Sequence, residues 1–86
     1  MNEIKLKIVR ILVEHLALDE AELTDNAKFY EDLGVDSLDY TEAIVAIEKA
    51  LNISVDDEDL ARLTTLGALV AYANKKVVHS HVLEVA

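Results

Sequence analysis

The sequence predicts an all-α fold: a four-helix bundle with a long loop between helices 1 and 2 and a short third helix. Three observations predict it. Apolar residues recur at helical spacing in four segments, no segment reads convincingly as a strand, and eighty-six residues suit one small domain with one core. There is no proline, there are two glycines, and neither an internal repeat nor a low-complexity segment is present. Hydrophobic residues make up 52% of the chain, well above the level of a disordered acidic tail.

Helix 1 is predicted from about Asn2 to Leu16, with Asn2 as N-cap and Ile4, Ile8, Ile11, Leu12 and His15 on one stripe. On that inward or border side His15 reads as a structural histidine. The connection ALDEAELTDNAKFYEDLG follows, with apolar anchors at Leu18, Leu23, Phe29 and Leu33 among turn-formers. A loop this long in a small domain is expected to pack across the helices. Gly34 ends it, where the backbone is expected to need a conformation other residues resist. Helix 2 is predicted from about Asp36 to Leu51. Helix 3 is predicted from about Asp56 to Leu63, with Asp56 as N-cap and Asp57, Glu58 and Asp59 favouring the positive end of the helix dipole. Helix 4 is predicted from about Thr65 to Lys76, capped by a threonine and closed by two lysines, with Leu66, Leu69, Tyr72 and Ala73 facing inward. The tail VVHSHVLEVA reads equally as a helix extension or as frayed chain.

Composition excludes several classes. With no cysteine there is no disulfide framework and no thiolate zinc site. No apolar run reaches the ~18 residues of a membrane span, and acids and bases are threaded through the N-terminal segment as in an amphipathic helix, not a signal peptide. The net charge of −9 is unevenly spread: residues 31–59 hold ten acids and one base, Lys49. That field repels nucleic acid and attracts basic protein surfaces. No metal site is expected, since DDED lacks calcium-loop spacing and His79 and His81 sit in a tail of undefined structure.

At about 100° per residue, Tyr40, Ala43, Ile44, Ile47, Ala50 and Leu51 share the core side of helix 2. Leu38 and Val45 fall together on the opposite side, bordered by Asp39, Glu42, Glu48 and Lys49. An apolar centre with an acidic border fits both a solvated face and a transient docking surface. Ser37, in GVDSLDYTE, opens this helix as N-cap or N1. The residue alone reads first as a helix starter, and a helix N-terminus also tolerates a phosphate ester, which leaves attachment open as the second reading. It does not read as a nucleophile, because no G-x-S-x-G elbow and no well-placed histidine base accompany it.

FYEDLGVDSLDYTEAIVAIEKAL and ISVDDEDLARLTTLGALVAYA, in register, resemble the acyl carrier protein family over nearly the whole domain. The resemblance implies a four-helix carrier bundle, with residues 1–77 as the acyl carrier domain and 78–86 as a C-terminal tail. It implies 4′-phosphopantetheine on Ser37, transferred from coenzyme A by a Mg²⁺-dependent phosphopantetheinyl transferase that Asp36 helps to engage. The arm ends in a thiol that holds an acyl group as a thioester, in keeping with a chain that has no cysteine of its own. Leu38, Asp39, Glu42, Val45 and Glu48 match the family's docking face for acyl-transferring and chain-elongating enzymes with basic patches. Phe29, Ile44, Ile47, Val55, Leu60, Leu63, Leu69 and Tyr72 match the lining of its acyl pocket, and they fit plain core equally well.

By the same resemblance the chain is no enzyme, works as a monomer, and resides in the cytoplasm or an organelle matrix. It serves fatty-acid, lipid or polyketide synthesis. Tyr40, Ala43, Leu60, Leu69 and Asp56 depart from the family's usual residues, and the first four alter bulk near the pocket. Two alternatives stay open: an aminoacyl or peptidyl carrier, and an acidic helical module that keeps the fold for structural or regulatory binding without cargo.

Overall fold

The computed structural model describes residues 3–85, with 78–85 described as backbone alone. The expected cap at Asn2 and the side chains of His79 and His81 lie outside the described residues. Among the described residues there are four α-helices: α1 (Glu3–Leu16), α2 (Ser37–Leu51), α3 (Asp57–Leu60) and α4 (Leu66–Val85). None of them is long and apolar enough to cross a membrane.

The stripe on α1 buries Ile8 and Leu12 completely and half-buries Ile4 and Ile11. His15 lies on the same heading but is exposed in the last turn, where a cation also suits the helix dipole. The helix stops because Ala17 turns left-handed, at φ 52°. Alanine is strained there and glycine is not, although glycine has more freedom to lose on folding. Ala17→Gly is expected to raise stability by about 0.5–1 kcal/mol, read as a higher urea midpoint at unchanged slope.

The long loop is ordered by its own bonds and pinned to the bundle. Asp19 and Glu22 form a reciprocal capping box around a 3-10 turn, Glu20–Glu22, a D-x-x-E signal that the helical reading of the sequence passed over. Leu23, Ala27 and Phe29 are buried, and Leu18 and Leu33 pack partly against the core. The Phe29 N–H donates to Thr64 O at 3.0 Å, beside an antiparallel bridge between Lys28 and Thr65. The Gly67 N–H donates to Asp25 O at 2.9 Å, and a Cβ on Gly67 would stand 3.0 Å from that oxygen, so a larger residue there would press on the loop.

Two predicted helix ends and one predicted core face are corrected. Helix α3 ends at Leu60 rather than Leu63: residues 61–63 form turns, and Thr64 and Thr65 are drawn into extended pairing with the loop. Helix α4 begins after Thr65, whose Oγ1 accepts from Ala68 N–H at 3.2 Å, and continues to Val85. Lys75 and Lys76 therefore do not end it. Lys76 instead lies 5.4 Å from the Tyr72 ring centroid and 3.9 Å from Asp56. In α2, Ala50 is exposed and Leu51 half-buried, because the core face runs out one turn before the left-handed cap at Asn52, φ 55°. Tyr40, Ala43, Ile44 and Ile47 are buried in α2 as expected, and Leu66, Leu69 and Ala73 in α4, where Tyr72 is partly buried and Val70, not expected inward, is buried as well.

Candidate functional site

Gly34 brings the chain into α2 with φ +66°. Nothing lies within 4 Å of where its Cβ would be, so the requirement is conformational and not steric. The next residue is fixed by Val35 N–H donating to Phe29 O at 2.9 Å. The turn before it is closed by Lys28 N–H, which donates to the Asp32 carboxylate at 2.9 Å. Loop and core together thus aim the start of α2.

Asp36 is the N-cap, extended at φ −77° and ψ 144°, and its carbonyl accepts from Tyr40 N–H at 2.9 Å. Its side chain makes no capping bond, which leaves the carboxylate exposed beside Ser37. Ser37 is N1. Its side chain is exposed and has no hydrogen bond to any described residue. The first turn is braced from the other direction, since the Thr41 hydroxyl donates to Ser37 O at 2.9 Å. Of the two roles open to Ser37, capping is taken by Asp36 through backbone shape alone. The hydroxyl is left pointing out of the bundle with no structural task.

Leu38 and Val45 are 64% and 42% exposed, and Asp39 and Glu42 are exposed beside them. Four of the five expected docking residues therefore share an open apolar and acidic face. Glu48 differs: it is half-buried, and its Oε2 accepts from Val55 N–H at 2.7 Å, which ties α2 to the segment leading into α3.

The eight residues matched to a pocket lining lie in one packed cluster. Phe29, Ile44, Ile47, Leu63 and Leu69 are buried, with Val55, Leu60 and Tyr72 partly buried against them. Two tyrosines organise it. Tyr72 donates to Asp59 Oδ2 at 2.9 Å and accepts from Asp56 N–H at 3.4 Å, fastening α3 to α4. Tyr40 is 2% exposed, its ring centroid lies 4.8 Å from that of Phe29 and its hydroxyl donates to Leu63 O at 2.6 Å. Burial, and secondarily the nearby Tyr30, push the Tyr40 phenol above the usual tyrosine range, because a phenolate there would be stripped of water. Helical periodicity put Tyr40 on the core face, but its partner, Leu63 O, lies 23 residues away and has no sequence signal.

Comparison with known proteins bears on this arrangement. Residues 7–73 match the family model described as "Phosphopantetheine attachment site". The acyl carrier protein of Thermotoga maritima is 40% identical over 76 residues, covering 88% of this chain and 94% of that protein. A solved structure of acyl carrier protein from Enterococcus faecalis superposes with a TM-score of 0.74 at 27% identity, covering 86% of this chain and 94% of the other. The helical fold is thus shared with a known acyl carrier protein, and the family match implies a carrier with a covalently attached 4′-phosphopantetheine that is not itself an enzyme. The chain belongs to the acyl carrier protein family.

Proposed function

We propose that Ser37 is the residue that receives the 4′-phosphopantetheine, and that the chain delivers acyl intermediates to fatty-acid, lipid or polyketide biosynthetic enzymes. The observation that carries this reading is an exposed serine hydroxyl at N1 of α2, free of any bond to a described residue, next to an N-cap carboxylate equally free. The residues fit the group. The first turn of a helix presents unpaired N–H groups and partial positive charge toward a phosphate ester, and Asp36 lies at hand for the metal of the modifying enzyme. In attachment, the Ser37 oxygen bonds to phosphorus while the pyrophosphate bond of coenzyme A breaks. The hydroxyl proton passes to the transferase, and adenosine 3′,5′-bisphosphate leaves. When bound, the arm supplies a thiol on which an acyl group is held as a thioester.

Leu38, Asp39, Glu42 and Val45 make up the face offered to partner enzymes. Charge steers their encounter and two apolar side chains hold it, which suits a carrier that must dock and leave repeatedly. Incubation with coenzyme A, Mg²⁺ and a broad-specificity transferase is expected to add the mass of one phosphopantetheinyl group to the intact protein. A protein left at its apo mass by several transferases would instead be an acidic interaction module that keeps the fold without cargo.

A further inference from the structure

Tyr40 follows Ser37 by one turn of α2, yet the serine is exposed and the tyrosine is 2% exposed. Below the attachment end of α2 the interior holds the buried rings of Phe29 and Tyr40, with the exposed Tyr30 at its edge. Phe29 lies against Tyr40 at 4.8 Å with the planes 36° apart, and Tyr30 meets Tyr40 edge-on at 5.8 Å. The far end of the Tyr40 side chain is bonded to Leu63 O, just past α3. Helix α3 has four residues, too few to hold itself together, and external ties fix it at both ends. At its N-terminal end are Val55 N–H on Glu48 and Asp56 N–H on Tyr72, and at its C-terminal end is the bond from Tyr40. An acyl chain entering between α2 and α3 has to part the Phe29 and Tyr40 rings and break the buried hydrogen bond from Tyr40 to Leu63 O.

We infer that Tyr40 is a specificity-determining bar across the space between α2 and α3, so that this carrier presents its acyl group outside the bundle instead of sheltering it. The inference rests on attachment at Ser37 as proposed above. It selects the chemical class of cargo: short or polar acyl groups, which water tolerates, in preference to long alkyl chains, which gain from burial. The bulk at position 40 and the hydroxyl bond act together, since the ring fills the space and the bond holds the ring and α3 in place.

The test uses the full chain with the arm attached, loaded in parallel with butanoyl, octanoyl and dodecanoyl groups, in wild type, Tyr40→Phe and Tyr40→Ala. Loading is checked by intact mass. The readouts are Tm and the methyl NMR shifts of Ile44, Ile47 and Leu63. In wild type, Tm is expected to be independent of acyl length and the interior methyls to keep their unacylated shifts. In both variants Tm is expected to rise by a few degrees with acyl length, and the methyls to move, as the chain enters the core. A wild type that already shows length-dependent Tm and shifted methyls overturns the inference, as does a pair of variants in which neither readout changes. If Tyr40→Ala does not fold, Tyr40→Phe decides, because it keeps the ring and removes only the bond. Failure to load any arm overturns the attachment reading, and this inference with it, whereas loading with shifted wild-type methyls overturns this inference alone.

Discussion

Ser37→Ala is expected to abolish loading completely while leaving the fold intact. After treatment with coenzyme A and transferase, the variant should keep its apo mass, and in the wild type the added mass should map to the peptide spanning residue 37. The experiment is clean because of where the serine sits. It is N1 and not the N-cap, it is exposed, and its hydroxyl bonds to no described residue. The bond that braces this turn ends on its backbone carbonyl, which alanine retains. The expected change in stability is therefore within about ±0.5 kcal/mol, as for surface substitutions generally. A loss of loading cannot then be ascribed to unfolding. Loading that persisted in Ser37→Ala would move the attachment point elsewhere and end the assignment.

The largest effect on stability is expected at Phe29. The residue lies in a loop, yet it is fully buried, its ring packs on Tyr40, its N–H bonds Thr64 O and its carbonyl receives Val35 N–H. One side chain thus fastens the loop to the core between two backbone links, one toward α4 and one toward Ser37. Phe29→Ala removes a large side chain and leaves a cavity, at an expected cost of about 3–5 kcal/mol. Small domains have only about 5–15 kcal/mol of stability in total, so the urea midpoint should fall by a large fraction. Phe29→Leu, which keeps most of the volume, should fall by much less. Equal losses for the two variants would show that the ring's size and shape do not hold the loop.

The contrast between these residues marks what was legible in advance. Periodicity alone located Ile8, Leu12, Ile44, Ile47, Leu66 and Leu69 in the core and turned Leu38 and Val45 outward. Both signals are local, because a helix fixes the relative heading of residues three, four and seven apart. Gly34 was equally legible, since a positive φ before a capped helix is a local demand. Helix ends were less so. Helix α3 was expected to reach Leu63 and α4 to stop near Lys76. What ended α3 was the loop's claim on Thr64 O and Thr65, made from far away in sequence, and what occupied Lys76 was the Tyr72 ring one helical turn back together with Asp56, which is distant in sequence.

The sequence by itself determined the helical class, the two faces of α2 and the placement of a serine at its tip, because each follows from residue spacing within one segment. Only the tertiary structure decided that Asp36 caps without its carboxylate, that Glu48 is half-buried and bonded to Val55, and that Tyr40 is bonded across the bundle to Leu63. The physical reason is that buried polar groups must find partners wherever the packed chain brings them. Those partners are chosen by three-dimensional proximity, which no period in the sequence encodes.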